Sequence, residues 1–177
     1  MSFTRYWSGD GVLVIGIEAA MSRNEARQRI RLAIREAAAQ WLGLSIDDVS
    51  VESQPGQAPR LLLAGRAAGL AISHDDGISL AAIDLHGAVG VDVMRVAQIA
   101  DWFAVATDYL GPQVAQSLAA CPAGQRPLAL AQAWTAREAA LKYAGLALAE
   151  WDGKAPACRL QAVPVPAGYT ATLAKAP

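Results

Sequence analysis

The chain has few cysteines and no long apolar segment, and both absences narrow its class. Cys121 and Cys158 are the only cysteines among 177 residues and form no CxxC pair, so the sequence predicts neither a disulfide framework nor a cysteine-based zinc site. Asp10 and Glu18 flank the apolar run 11–17, and no other run approaches the roughly 18 residues that cross a bilayer. We therefore expect no membrane span, no signal peptide and a reducing, cytoplasmic setting.

An excess of charge of either sign is missing as well. The 15 lysines and arginines nearly balance the 16 aspartates and glutamates, which gives a formal net charge of −1. No overall basic field therefore indicates nucleic acid as a partner. Hydrophobic residues make up 54% of the chain, which is enough to form a substantial core and excludes a disordered protein.

Hydrophobic periodicity predicts a mixture of strands and helices. Residues 11–19 form a short apolar run rich in Val and Ile, which is typical of a buried strand. Ser22 and Glu25 have the S-x-x-E spacing of a capping box, and apolar residues follow at helical spacing as far as Trp41. Residues 54–60 are predicted to form a loop. Further strands are predicted at 49–53, 70–74, 78–84, 89–96, 157–163 and 169–175, and further helices at about 98–110, at 113–120 and from Pro127 to Ala144.

The order of these elements indicates the fold class. A strand, a helix and further strands occur in both parts of the chain, although no sequence repeat accompanies them. We therefore predict an α+β fold made of two similar α+β halves in one chain, a pseudo-dimer. The N-terminal half would span 1–87 and the C-terminal half 88–177.

One face of the first predicted helix is rich in arginine. Such a face is usually only solvated, but a dense cluster of guanidinium groups is also suited to binding phosphate. The sequence is compatible with a solvated face and with a phosphate-binding face. The residues concerned are Arg23, Arg27, Arg29, Arg31 and Arg35.

Two carboxylates stand out from their apolar surroundings. Asp92 lies within a valine-rich predicted strand, where an unpaired buried charge would cost several kcal/mol, unless the strand end is exposed or the carboxylate bonds to backbone amides. Glu138 lies on the last predicted helix, and the two carboxylates together could hold a cation such as Mg²⁺. Arg137 and Lys142 would then face phosphate groups. The alternative is an exposed Glu138–Lys142 helical ion pair, worth about 0.2–0.5 kcal/mol.

These segments resemble the signature of a known family. GVDVM at 90–94 and WTAREAALKYAGLAL at 134–148 resemble the paired motifs of the 4′-phosphopantetheinyl transferases, G-[IV]-D-[IV] and W-[ST]-x-K-E-[AS]-x-x-K. AISHDDG at 71–77 is similar to the family's S-H motif, and GQAPRL at 56–61 is similar to its G-K-P loop. The arginine-rich helix at 23–42 corresponds to the basic helix of the long, surfactin-synthetase-activating type.

The resemblance implies an activity, a metal and a set of site residues. Phosphopantetheine would pass from coenzyme A to a serine of an apo acyl or peptidyl carrier protein, with release of adenosine 3′,5′-bisphosphate. Asp92 and Glu138 would bind Mg²⁺, with Mn²⁺ as an alternative, and would be catalytic together with Lys142. Glu138 would be the general base, directly or through a water molecule. The residues expected to contact coenzyme A are Arg27, Arg60, Ser73, His74, Arg137 and Lys142.

The sequence also departs from the family pattern. Met94 stands where many long-type members have an acidic residue, Gln57 where a lysine is expected, and Arg137 in place of a lysine. Three interpretations therefore apply: an active transferase, a catalytically inactive module of the same fold that binds coenzyme A or a carrier protein, and a structural domain. Because the long type carries both halves in one chain, we expect a monomer.

Overall fold

A computed structural model describes residues 3–18, 22–53 and 58–177 of the chain. Residue 19 of the first predicted strand, residues 54–57 of the predicted loop and the departure at Gln57 lie outside the described residues. The strands are β1 (Thr4–Gly9), β2 (Val12–Glu18), β3 (Val49–Glu52), β4 (Arg60–Leu63), β5 (Arg66–Asp75), β6 (Ile78–Asp84), β7 (Gly90–Arg95), β8 (Arg159–Val163) and β9 (Tyr169–Lys175). The helices are α1 (Arg23–Leu42), α2 (Trp102–Val105), α3 (Pro112–Ala120) and α4 (Arg126–Tyr143).

The strands form two antiparallel sheets, so the prediction of a mixed α+β fold is confirmed. Strands β1 to β6 make a six-stranded sheet in the order β1-β2-β6-β5-β4-β3. Strands β7 to β9 make a three-stranded sheet in the order β7-β9-β8. Neither sheet mixes strands from before and after Asp84.

Packing on both faces of β2 explains why this strand is a continuous apolar run. Leu13 and Ile15 face a core shared with Ile30 and Ile34 of α1. Val12 and Val14 face the opposite core, which also contains apolar residues of β7 and β9. A strand covered on both faces has no solvent side and therefore needs apolar residues at every position. The helix α4 packs on the strands β7 and β9.

The predicted start of α1 is confirmed. The Ser22 hydroxyl accepts a hydrogen bond from the Glu25 amide at 3.3 Å, and the Glu25 carboxylate accepts one from the Ser22 amide at 3.0 Å. This reciprocal capping satisfies two amides that a helix start would otherwise leave without partners. The helix ends at Leu42, where Gly43 takes a left-handed conformation with a φ of 66°.

A glycine brings α4 close to the strand that carries Asp92. A Cβ atom on Gly90 would collide with the backbone carbonyl oxygen of Ala139 in α4. Helix and strand backbones can therefore approach each other at this position only because Gly90 has no side chain. The close approach places Glu138 and Lys142 on a helix that lies directly against β7.

The structure also corrects several predicted elements. The strands β1 and β4 were not predicted, and the helix expected at 98–110 begins at Trp102 and continues as a π-helical turn at Ala106–Leu110. Strand β4 has only four residues, and residues Ala64 and Gly65, both with positive φ, lead from it into β5. The three consecutive leucines of β4 do not alternate with polar residues and therefore gave no strand pattern. Among the described helices, none combines the length and apolar character that crossing a membrane requires.

Candidate active site

Asp92 lies at the centre of a buried hydrogen-bond network. The residue is 7% exposed, and its Oδ1 atom accepts from the Ser73 hydroxyl at 2.7 Å and from the Lys142 ammonium at 2.7 Å. The Lys142 Nζ atom also donates to the carbonyl oxygen of Val91 at 3.1 Å. Asp92 is therefore paired inside the protein, and the alternative of an exposed strand-end aspartate is wrong.

The same contacts test whether Glu138 and Lys142 form an exposed helical ion pair with each other. Lys142 forms its ion pair with Asp92, and the ion pairs of the described residues include none between Lys142 and Glu138. The interpretation of these two residues as a surface ion pair is therefore wrong. In the part of the chain that the structure describes, the Glu138 carboxylate accepts no hydrogen bond.

The surroundings of Glu138 favour its protonated form. The side chain is half-buried. Burial raises the pKa of Glu138, the negative charge of Asp92 raises it further, and the positive charges of Lys142 and Arg137 offset only part of the increase. Glu138 therefore holds a proton more tightly than an ordinary glutamate does.

Strand β5 brings Ser73 and His74 to the same place. Ser73 is 5% exposed, and its hydroxyl also accepts from the Val93 amide at 3.3 Å. The Nδ1 atom of His74 lies 2.8 Å from the Ser79 hydroxyl. Burial lowers the pKa of His74, and the nearby positive charges of Arg27, Arg23, Lys142 and Arg31 lower it further. The imidazole is therefore neutral at neutral pH, in surroundings that are already rich in cations.

A cleft of about 460 Å³ brings these groups together. Strand β5 and the start of α1 form one wall, and β7 and α4 form the other. Five of the predicted site residues line it: Ser73, His74, Asp92, Glu138 and Lys142. Arg23 also lines the cleft and belongs to the predicted arginine-rich face, of which Arg27 had been named as the contact. Asp75 lines the cleft too and was not among the predicted site residues.

The arginines of α1 have different surroundings. Arg31 donates to the Ser53 hydroxyl at 2.9 Å, and Arg35 donates to the carbonyl oxygens of Val49 and Ile46 at 2.8 and 2.9 Å, so both tie the helix to the segment that follows it. Arg23 lines the cleft, whereas Arg27 acts on His74 through its charge.

Arg60 and Arg137 have other surroundings. Arg60 is the first residue of β4, lies exposed opposite Glu52 and is not among the described residues that line the cleft. The Arg137 guanidinium lies 4.9 Å from the centre of the Trp151 ring and donates to the Lys154 carbonyl oxygen at 2.9 Å. Its Nε atom is buried without a hydrogen-bond partner among the residues described.

Arg137 borders a second cavity of about 540 Å³. The cavity lies between the C-terminal part of α4 and the irregular segment 144–157, and its apolar wall includes Leu141, Leu146 and Pro156. Arg137 and Glu138 are consecutive residues of α4, and Arg137 borders this cavity whereas Glu138 borders the cleft. No sequence pattern indicated the cavity, because the stacking of Arg137 on Trp151 depends on tertiary structure.

Two carboxylates in the cleft have oxygens that could serve as ligands of a magnesium ion. The Oδ2 atom of Asp92 and the Glu138 carboxylate have no hydrogen-bond partner within residues 3–18, 22–53 and 58–177. The Asp75 carboxylate, by contrast, accepts from the amides of Asp76 and Arg95 at 2.7 and 2.6 Å. The described residues contain no cluster of three or more His, Cys, Asp or Glu side chains that could hold a metal. Mg²⁺ commonly takes one or two carboxylates and completes its shell with water and substrate phosphate.

Comparison with known families agrees with the geometry of the cleft. Residues 88–162 match the model of the 4'-phosphopantetheinyl transferase superfamily. The matched segment contains Asp92, Glu138 and Lys142 and covers less than half of the chain. No curated protein matches the sequence. The match supports a transferase and agrees with the resemblance seen in the C-terminal motifs.

Proposed function

We propose that the protein transfers the 4′-phosphopantetheine group from coenzyme A to a serine of an apo acyl or peptidyl carrier protein and releases adenosine 3′,5′-bisphosphate. The observation that carries the proposal is the convergence of Asp92, Glu138 and Lys142 with Ser73 and His74 in one cleft. Two carboxylates beside several cations suit a diphosphate and its metal ion. The proposal includes the long type of the family and a cytoplasmic location, where both substrates are found.

Asp92 and Glu138 would hold Mg²⁺ or Mn²⁺ through the oxygens that have no partner among the described residues. Bound there, the metal would offset the negative charge that develops on the leaving diphosphate bridge. Lys142 would contact the phosphates directly. An ammonium group has three N–H donors, and the contacts with Asp92 and Val91 use two of them, so one donor is left for a phosphate oxygen.

Glu138 would act as the general base. Its carboxylate is half-buried, and its raised pKa brings its proton affinity closer to neutral pH. The carrier serine oxygen would form a bond to the phosphorus that bears the pantetheine group, while the bond from that phosphorus to the adenosine bisphosphate breaks. Glu138 would receive the serine proton, directly or through a water molecule.

The raised pKa of Glu138 gives a prediction for stability. The folded protein favours the protonated form more than the unfolded chain does, so ionised Glu138 destabilises the fold above the folded-state pKa and not below the unfolded value. Without metal, Glu138→Gln is expected to raise Tm near pH 8 and to have no effect near pH 4. Thermal melts with a chelator present test this. An equal change at both pH values would contradict the assigned pKa.

The apolar cavity beside Arg137 would accept the pantetheine arm. The arm carries methyl groups and two amides, which suit an apolar wall and the unpartnered Nε–H group of Arg137. In this arrangement Arg137 would contact the arm, whereas Lys142 would contact the phosphates. Arg27 would contribute positive charge near His74. Arg60, which is not among the described residues that line the cleft, would contact a part of coenzyme A that extends beyond it.

Filling this cavity should weaken binding of the pantetheine arm and leave binding of the nucleotide part of coenzyme A unchanged. Ala147 lines the cavity from an exposed loop, so Ala147→Phe can occupy it with little strain on the core. We expect coenzyme A binding to weaken about 10-fold or more, equivalent to about 1.4 kcal/mol. Adenosine 3′,5′-bisphosphate, which has no arm, should bind as tightly as it does to the original protein. Calorimetry with both ligands provides the comparison, and equal weakening for both would contradict the assignment.

A further part of the proposal is that the two sheets correspond to two halves of one active unit, residues 1–87 and 88–177. Its support is that β5 and α1 provide one wall of the cleft and β7 and α4 provide the other. One chain therefore contains both walls, and we expect a monomer of 18.5 kDa with a single site. Light scattering at micromolar concentration measures this. A trimer with sites between subunits would contradict the proposed halves.

Release of adenosine 3′,5′-bisphosphate tests the proposed reaction. The protein is incubated with coenzyme A, Mg²⁺ and a set of apo carrier proteins, and the nucleotide products are separated by chromatography. We expect release that depends on the carrier and on Mg²⁺. Tight coenzyme A binding without release on any carrier would instead favour an inactive binding module.

A further inference from the structure

The geometry points to Ser73 as a positioning residue that holds the Asp92 carboxylate in place for the metal. This inference rests on the proposed function, but it changes the role that the resemblance implies for Ser73, namely contact with the coenzyme A phosphates. The Ser73 hydroxyl lies 2.7 Å from Oδ1 of Asp92, and Ser73 itself is 5% exposed.

The hydroxyl of Ser73 has no donor left for a phosphate. A serine hydroxyl carries one hydrogen, and Ser73 donates it to Asp92. The same oxygen accepts from the Val93 amide at 3.3 Å. A phosphate oxygen accepts hydrogen bonds and offers no donor at neutral pH, so Ser73 could bind it only by releasing Asp92.

The two donors on Oδ1 differ in how firmly they are held. Lys142 has a long side chain that is 29% exposed, so its ammonium group can move toward a substrate. Ser73 has a short buried side chain near the C-terminal end of β5. Ser73 therefore sets the rotation of the Asp92 carboxylate and leaves Oδ2 without a hydrogen-bond partner among the described residues.

A second contact of β5 supports this role. Strand β7 is an edge strand of its sheet and pairs there with β9 only. On its other side, Ser73 accepts from the Val93 amide, and Asp75, two residues further along β5, accepts from the Arg95 amide at 2.6 Å. Alternate side chains of β5 thus hold alternate amides of β7 and fix Asp92 relative to the six-stranded sheet.

Binding of Mn²⁺ without coenzyme A tests the inference independently of activity. Free Mn²⁺ is measured by electron paramagnetic resonance during titration of the original protein and of Ser73→Ala, Ser73→Thr and Ser117→Ala. Removing the partner of a metal ligand typically weakens metal binding 10- to 100-fold, so we expect Ser73→Ala to lose about 10-fold or more. Ser73→Thr retains the hydroxyl and should bind nearly as well as the original protein. Ser117→Ala, at an exposed site on α3, should be unchanged.

Binding of adenosine 3′,5′-bisphosphate without metal separates the two roles of Ser73. We expect Ser73→Ala to bind this nucleotide as the original protein does, whereas a phosphate-contacting serine would lose affinity for it. Unchanged Mn²⁺ affinity in Ser73→Ala would overturn the inference and leave the proposed function intact. If the original protein bound no Mn²⁺, both the assignment of Asp92 and Glu138 as metal ligands and this inference would be wrong. Ser73→Cys, similar in size with a weaker donor, gives the same comparison if Ser73→Ala does not fold.

Discussion

Glu138→Gln is expected to reduce transfer to a carrier by about 10²- to 10⁴-fold, the usual contribution of a positioned general base. Glutamine has nearly the same shape as glutamate but neither accepts the serine proton nor brings a negative charge to the metal. Because the Glu138 carboxylate accepts no hydrogen bond from the described residues, the substitution breaks no contact seen there. The variant should therefore fold normally, and steady-state rates with saturating coenzyme A measure the loss.

The matched control is Glu52→Gln, an exposed glutamate on β3 that does not line the cleft. This variant should retain full activity. Circular dichroism of both variants should match that of the original protein. Full Mg²⁺-dependent transfer by Glu138→Gln would contradict the assignment of Glu138 as the general base.

Lys142→Met is expected to destabilise the protein as well as stop transfer. The substitution keeps the length of the side chain but leaves the Asp92 carboxylate, 7% exposed, with Ser73 as its remaining described hydrogen-bond donor. Breaking a buried ion pair on one side costs about 3–5 kcal/mol, and we expect the lower end because Lys142 is partly exposed. Urea denaturation measures the change in the free energy of unfolding.

A double variant separates the charge effect from the loss of packing. Asp92→Asn combined with Lys142→Met removes both charges, so most of the lost stability should return while transfer stays absent. If Lys142→Met were as stable as the original protein, Asp92 would not depend on Lys142 for its charge balance. That result would contradict the network described here.

The partner of Lys142 illustrates what local sequence cannot decide. Helical spacing offers Glu138, one turn away, and such a pair is worth only about 0.2–0.5 kcal/mol. Asp92 is distant in the sequence, but leaving its buried charge unpaired would cost about 3–5 kcal/mol. Because the second energy is larger, Lys142 pairs with Asp92. This pairing can be recognised only in the folded structure, where β7 and α4 lie against each other.

Elements with strong local signals were predicted well. The capping box at Ser22 and the apolar run of β2 each carry their own evidence, and both were found as expected. Strand β1 was not predicted, because it pairs with β2 alone and shows no continuous apolar run. The position of Arg137 could not be predicted, because its guanidinium stacks on Trp151, which lies in a loop that sequence patterns do not place.

The most direct measurement is the intact mass of an apo carrier protein after incubation with this protein, coenzyme A and Mg²⁺. At least one carrier should gain the mass of a single phosphopantetheine group, attached at a serine, and Glu138→Gln should produce no such gain in the same time. Carriers that stay unmodified, although the protein binds coenzyme A with Mg²⁺, would contradict the proposed transfer.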